Sequence, residues 1–185
     1  MDERRPTLDL GPTIETERLI LRPPILADFA ERAEMARDEE TMALLGGGIV
    51  PALAWRSFAA QVGHWALRGY GFFDVLEKTS GAVVGSVGTH FPQDWPGREV
   101  GWVIHRACWR KGYGFEAAMA AMAYAFDDLG WDQVIHVISP ENIPSQKLAA
   151  ALGSRHLRTI EKLAGYGEIT NQIWGQSRAE WVCEK

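Results

Sequence analysis

The sequence predicts an α/β (α+β) fold in which a mixed, mostly antiparallel sheet of about six to seven strands carries helices on both faces. Three observations predict it. Segments with apolar residues at every second position cluster between residues 71 and 105, two stretches show helical periodicity on either side of that cluster, and "DQVIHVIS" forms a near-continuous β-branched run. The predicted order is β-α-α-β-β-β-α-β-α-β-β.

The N-terminal part supplies the first strand and two helices. After residues 1–13, which we expect to be mobile, "ETERLILRP" reads as a strand ended by Pro23-Pro24, and "ADFAERAEMARDEE" reads as a polar helix. A glycine break at 46–48 separates it from a second helix, which begins at Pro51. In that helix Trp55, Phe58, Val62 and Trp65 recur at steps of three and four residues and form one apolar face.

The middle of the chain reads as a three-stranded meander. The segments "GFFDVLEK", "AVVGSVGTHF" and "REVGWVIH" alternate as strands do. The turn Thr79-Ser80-Gly81 joins the first two, and the Pro/Gly loop "PQDWPG" joins the last two.

The C-terminal part completes the sheet. A long apolar helix is predicted from about Tyr113 to the stop at Gly130, followed by the buried parallel strand "DQVIHVIS". A short helix from Pro144 to Gly153 leads to the two closing strands "RHLRTIEKL" and "EITNQIWGQS".

Composition limits the class of protein. At 185 residues and 46% hydrophobic content, the chain is expected to form a single domain over residues 1–185. Its net charge of −5 argues against a nucleic-acid binder. Two distant cysteines, no metal-ligand spacing of histidines, no apolar signal core and no membrane-length apolar run predict a cytoplasmic protein without a metal site or a membrane partner.

The stretch "WRKGYGFEA" at 109–117 places basic residues and glycines directly before the long helix. One interpretation is a tight turn that only leads into a core helix. A second is a dinucleotide-binding G-x-G-x-x-A fingerprint with Glu141 further on, but "HRACWRK" separates these glycines from the preceding strand. A third is a pyrophosphate site, because a helix N-terminus offers free N–H groups and Arg106, Arg110 and Lys111 add positive charge.

The third interpretation agrees with a resemblance. "WRKGYGFEA" is similar to the coenzyme A loop of the GNAT superfamily of N-acetyltransferases, in the branch of the Rim-type ribosomal-protein N-terminal acetyltransferases. The segments "TERLILRP", "REVGWVI", "AYAFDDLGWDQV" and "NIPSQKLAAALG" extend the similarity over about residues 14–182, in the family's order. The chain departs from the family's pattern with Trp109 at the R/Q position of the loop and with Ser154 where an aromatic residue is usual.

The resemblance implies the GNAT fold, acetyl-CoA as co-substrate and a set of site residues. The loop should hold the pyrophosphate, the end of the preceding strand should pair by backbone with the pantetheine arm, Asn142 should hydrogen-bond that arm, and Lys147 should reach a phosphate. Ser145 should lie near the thioester sulfur, as a donor to the thiolate or as a helix cap. The implied cofactor-binding residues are Val103, Ile104, His105, Arg110, Lys111, Gly112, Tyr113, Gly114, Phe115, Asn142 and Lys147.

Glu99 is the predicted base. Alternation places Glu99, Gly101, Val103 and His105 on one face of the strand, and a glycine two residues after a carboxylate indicates a wall that another group approaches. At the ordinary glutamate pKa of about 4.3 the carboxylate would be a poor base, so burial must raise it or a water chain must carry the proton. Pairing with Arg98, Arg106 or another cation is the alternative role.

The predicted function is transfer of acetyl from acetyl-CoA to a primary amine by direct attack. A non-catalytic coenzyme A sensor or scaffold and a nicotinamide-dependent oxidoreductase are the alternatives. A protein N-terminus, a small amine and an amino-sugar antibiotic all stay open as acceptors, and so does a homodimer. In this fold the two N-terminal helices and the last hairpin set the acceptor.

Overall fold

The structure, a computed structural model, describes residues 9–183. One eight-stranded sheet runs through them in the order β1-β2-β3-β4-β5-β6-β8-β7. All neighbouring strands are antiparallel except β5 and β6, which confirms the predicted mixed, mostly antiparallel sheet. The strands are β1 Ile14–Glu15, β2 Leu19–Arg22, β3 Phe72–Glu77, β4 Val83–His90, β5 Glu99–Ile104, β6 Gln133–Ile138, β7 Arg155–Leu163 and β8 Gly167–Ser177.

Six α-helices accompany the sheet in the described part of the chain. They are α1 Phe29–Arg37, α2 Glu39–Met42, α3 Pro51–Arg68, α4 Tyr113–Ala123, α5 Ile143–Ala151 and α6 Arg178–Cys183. The two faces of the sheet differ, as alternate residues of β3 illustrate. Phe73 and Val75 join the apolar core with Ala118 of α4, whereas Asp74 between them forms a buried ion pair with Arg32 of α1.

Three elements differ from the sequence prediction. The predicted first strand is a hairpin, because the main-chain N–H of Thr16 donates to Leu19 O at 3.0 Å and its hydroxyl accepts from Leu19 N at 3.1 Å. The first helix is divided at Asp38, whose extended backbone and carboxylate cap α2 through Thr41 N at 2.7 Å. Helix α6 was not predicted.

The long central helix ends at the predicted Gly130, whose φ is 64°, but its last turn is not α-helical. It continues beyond α4 as a π-helical turn, Tyr124–Asp128, in which Leu129 N donates to Tyr124 O at 3.0 Å.

Of the predicted mobile residues 1–13, the first eight lie outside the described residues. Leu10 packs against the core, and a Cβ on Gly11 would lie 2.3 Å from the Trp65 ring.

Strands β3 and β4 approach closely at Gly88. A Cβ at Gly88 would lie 2.5 Å from Gly71 O and 2.7 Å from Phe72 Cα, both rigid backbone atoms. Gly63 in α3 has no neighbouring atom within 4 Å of its ideal Cβ position.

We expect Gly88→Ala to lower the free energy of unfolding by about 1–3 kcal/mol, because the backbone must move to accept the methyl group. The matched control, Gly63→Ala, should raise it by roughly 0.5–1 kcal/mol through helix propensity. Urea unfolding midpoints of the two variants and the wild type measure both effects. A Gly88→Ala protein as stable as the wild type would contradict this β3–β4 packing.

Candidate active site

Strands β5 and β6 part almost as soon as they meet. They share the single pair Glu99↔Ile135, anchored by Ile135 N donating to Arg98 O at 2.8 Å, whereas β5 pairs with β4 at six positions from His90↔Glu99 to Gly85↔Ile104. The two strands therefore leave a gap along the C-terminal half of β5.

The main-chain groups that face this gap belong to alternate residues. Val100 O accepts from His136 Nδ1 at 2.6 Å and Ile104 O accepts from Trp109 Nε1 at 2.7 Å, so residues 100, 102 and 104 turn towards β6. His105 N donates to Val84 O at 2.9 Å, on the opposite side.

This alternation corrects one prediction. The strand end Val103–His105 was expected to pair by backbone with pantetheine, but Val103 and His105 direct their main-chain groups at β4. His105 Nδ1 also accepts from Ala107 N at 3.3 Å. Ile104 is the only member of that set on the gap side, and Trp102, which the prediction missed, lies beside it. Consecutive strand residues cannot direct their main-chain groups to the same side, but the pairing with β4 decides which of them face the gap.

Glu99 lies at the closed end of the gap and is 7% exposed. One carboxylate oxygen accepts from Val137 N at 3.1 Å and the other from Trp95 Nε1 at 2.6 Å. Burial outweighs both bonds and raises the pKa of Glu99 to about 7. The predicted condition for a base, a pKa raised by burial, is therefore met.

The alternative role for Glu99, an ion pair, is not found. Arg98 lies over the Trp131 ring at 5.6 Å, and Arg106 pairs with Asp38 at 2.8 Å. No cationic side chain among residues 9–183 comes within ion-pair distance of Glu99. Packing explains the glycine at position 101, two residues after Glu99, because a Cβ there would lie 2.9 Å from the Phe72 ring.

Helix α5 brings Asn142 and Ser145 to the gap. Asn142 Oδ1 accepts from Ser145 N at 3.1 Å, so Asn142 caps the helix and Ser145 does not, which corrects the cap alternative for Ser145. Ser145 Oγ accepts from Trp102 Nε1 at 3.1 Å. Its hydroxyl hydrogen is consequently free to point elsewhere. Lys147 is exposed on the same helix.

His136 of β6 is fully buried and connects the gap to the far side of the sheet. Its Nδ1 donates to Val100 O, so its Nε2 accepts from Ser154 Oγ at 3.0 Å, and Ser154 accepts in turn from Gln176 Nε2 at 3.1 Å. Burial lowers the pKa of His136 to about 4 and keeps it neutral. This network explains why a hydroxyl stands at 154, where an aromatic side chain could not accept the Gln176 N–H.

The basic glycine loop has the backbone shape of an anion site. Arg110 and Gly112 both adopt left-handed φ values, 61° and 83°. The first helical bond of α4 is Glu116 N to Gly112 O at 3.1 Å, so the amides of residues 113–115 have no helical acceptor. Arg110, Lys111 and Phe115 are exposed.

Two side chains of this region are engaged elsewhere. The Tyr113 hydroxyl donates to the Glu77 carboxylate and its ring lies under Arg18, so only its main chain can face a ligand of the loop. Arg106 is held by Asp38 and Glu40. The positive charge available at the loop is thus that of Arg110 and Lys111.

A cavity of about 660 Å³ joins several predicted residues. Glu99, Val103, Asn142 and Ser145 line it, together with Trp95 and Trp102. Gly112 and Phe115 instead line a more open groove of about 560 Å³ beside Arg18 and Glu116. Ile104, His105, Arg110, Lys111, Tyr113, Gly114 and Lys147 line neither.

Residues 9–183 contain no group of three or more His, Cys, Asp or Glu side chains placed to hold a metal ion. No helix in this range has both the length and the apolar character that crossing a bilayer requires.

Comparison with known proteins identifies the family. The profile described as "Acetyltransferase (GNAT) domain" matches residues 18–155, and the chain belongs to this family. It is 26% identical over 164 residues, 88% of this chain and 92% of the relative, to the "Uncharacterized N-acetyltransferase YnaD" of Bacillus subtilis (strain 168).

Solved structures show the same fold. An acetyltransferase of Agrobacterium tumefaciens str. C58 has a TM-score of 0.77 at 25% identity, covering 89% of this chain and 94% of that one. The ribosomal-protein-S5-alanine acetyltransferase of Vibrio fischeri has a TM-score of 0.73 at 17% identity, covering 92% and 99%. The predicted GNAT fold is confirmed, with Rim-type enzymes among its structural neighbours.

We expect Trp95→Phe to raise the pKa of Glu99 by roughly one unit above its wild-type value, because it removes a hydrogen bond that stabilises the anion. The ¹³C shift of the labelled glutamate carboxyl measures this titration directly. Trp174→Phe, which removes an indole bonded at 2.8 Å to Gln172, is the matched control and should leave Glu99 unchanged. A wild-type Glu99 titrating near pH 4 would contradict its burial.

Proposed function

We propose that the protein transfers an acetyl group from acetyl-CoA to a primary amine, with Glu99 as the base. The observation that carries the proposal is the position of Glu99. It is a buried carboxylate without a cationic partner, at the closed end of the gap between β5 and β6. The family's general reaction, acetyl transfer, agrees with this use of the site.

The residues around the gap fit coenzyme A. The free main-chain edge at Trp102 suits an extended amide-bearing arm, which would pair with it as an added strand. Asn142 caps α5 through Oδ1, so its Nδ2 can donate to the same arm. At the loop, the amides of residues 113–115 and the side chains of Arg110 and Lys111 suit a pyrophosphate, and Lys147 can meet another phosphate.

The reaction needs one proton acceptor and one donor from the chain. Glu99 takes a proton from the ammonium group, and the neutral nitrogen attacks the thioester carbonyl carbon. As the C–N bond forms and the C–S bond breaks, the sulfur leaves as a thiolate. Ser145 can donate its hydroxyl hydrogen to this sulfur, because its oxygen already accepts from Trp102. As the C–S bond breaks, the nitrogen loses its second proton, which restores the Ser145 hydroxyl. The products are the amide, the free thiol of coenzyme A and a protonated Glu99, which releases its proton to solvent.

The pKa of Glu99 suits this exchange. A pKa of about 7 lies close to that of an α-amino group, about 7.7–8.0, so proton transfer between them is nearly balanced. A lysine side chain at about 10.4 would give up its proton to Glu99 far less readily. The site therefore favours amines of lowered basicity, of which a protein N-terminus is one.

We expect wild-type kcat/KM for an amine with acetyl-CoA to rise with pH up to about 7 and then to depend only on the amine. In Glu99→Gln it should fall by roughly 100-fold or more and lose the rise near pH 7. The control Glu34→Gln, an exposed change on α1, should behave as the wild type.

The measurement is release of free thiol across pH with two amines of different pKa. The part of the pH profile that stays the same with both amines belongs to the enzyme, and the part that moves belongs to the substrate. A Glu99→Gln enzyme with unchanged turnover across pH would show that Glu99 is not the base. No acetylation of any amine by an enzyme that binds acetyl-CoA would instead favour a coenzyme A sensor.

A further inference from the structure

The cavity beside Glu99 is lined by two acidic residues, Glu99 and Glu141, and by no lysine or arginine among residues 9–183. A carboxylate or phosphate on the acceptor would enter without a counter-ion and close to two acidic side chains. A cationic ammonium group would be attracted.

The histidines of this cavity do not supply the missing positive charge. Burial lowers the pKa of His90 to about 4. His64 donates from Nδ1 to Tyr70 O at 2.8 Å and accepts at Nε2 from Phe91 N at 3.2 Å, which requires an unprotonated nitrogen. His136 is neutral, as described above.

Aromatic rings form a continuous wall next to Glu99. The centroid distances along it are 5.5 Å from Phe72 to His90, 5.0 Å from His90 to Trp95 and 6.1 Å from Trp95 to Tyr166. Trp95 Nε1 also donates to the Glu99 carboxylate, so one ring of the wall is in contact with Glu99. Neighbouring rings meet at 56°, 81° and 66°, so ring edges and faces alternate along the wall. Aromatic surface of this kind can attract ammonium groups and pack against flat apolar groups.

Apolar side chains surround the cavity from two sides. Leu44 and Leu45, between α2 and α3, line it and are 39% and 49% exposed. Tyr166, at the β7–β8 turn, and Ile169, in β8, line it and are 69% and 45% exposed. The two pairs therefore come from the N-terminal helical region and from the last hairpin. Exposed apolar residues grouped at a cavity mark a binding surface.

From these observations we propose the chemical class of the acceptor, an inference that rests on the proposed function. The acceptor is a primary amine on an apolar or aromatic body that bears no carboxylate or phosphate near the nitrogen. The amine faces Glu99 and Trp95, and the body lies between the aromatic wall and Leu44 and Leu45. Free amino acids and phosphorylated amino sugars are excluded by charge.

The test compares matched acceptors with acetyl-CoA. Phenethylamine should show a kcat/KM at least tenfold above that of phenylalanine, which adds only a carboxylate, and at least tenfold above that of ethylamine, which lacks the ring. Phenylalaninamide and a short amidated peptide with N-terminal phenylalanine should react as well as phenethylamine or better. If phenethylamine is the better acceptor, the natural substrate is a small amine. If phenylalaninamide and the peptide are better, it is a peptide N-terminus.

A charge variant makes the test independent of substrate reactivity. Ile169→Lys places a cation at the cavity and should shrink the preference for phenethylamine over phenylalanine severalfold. The control Leu67→Lys also replaces an exposed apolar residue with lysine, but on α3 and outside the cavity, and it should leave the preference unchanged.

The outcomes are distinguishable. Equal turnover of phenylalanine and phenethylamine, or a preference that Ile169→Lys leaves intact, would overturn the acceptor class while the acetyltransferase function stood. Absence of turnover with every amine would overturn the proposed function and this inference together.

Discussion

The early parting of β5 and β6 is the constraint on which the rest of the site depends. A sheet that stops pairing after one position leaves main-chain groups without a ladder partner, which is costly unless other groups satisfy them. Here side chains bond these groups instead. His136 donates to Val100 O, Trp109 donates to Ile104 O, and the Glu99 carboxylate accepts from Val137 N. Trp102 keeps its main chain available for a ligand.

These bridges connect the gap to the distant parts of the fold. His136 donates to Val100 O and accepts from Ser154 Oγ, which accepts in turn from Gln176, so the bond at the gap is linked to β8. The buried Glu99 carboxylate costs stability. Its pKa in the folded protein is about 7, compared with an ordinary value of 4.5. The free energy of unfolding therefore falls by roughly 3 kcal/mol as pH rises through that interval. Catalytic groups commonly hold such destabilising positions.

Local pattern predicted most of the fold and only part of the site. Strands β3 to β5 follow from alternation, β6 from a continuous β-branched run and helix α3 from helical spacing, all of which are local properties. The hairpin at Thr16 and the division of the first helix at Asp38 depend on single side-chain bonds, which periodicity does not register. The burial of Glu99 was predicted as a requirement, but its Trp95 and Val137 partners arise from tertiary contacts. The roles of Val103 and His105 were misassigned because a hydrogen-bond register cannot be read from composition.

The most direct test of the central claim is amide hydrogen exchange with and without coenzyme A, resolved residue by residue. If the gap receives the pantetheine arm, coenzyme A should slow exchange at the Trp102 amide, which faces the gap, much more than at the Val103 amide, which already faces β4. Equal protection of both amides, or no change at Trp102 in a protein saturated with coenzyme A, would contradict the account. NADH in the same experiment should leave Trp102 unchanged.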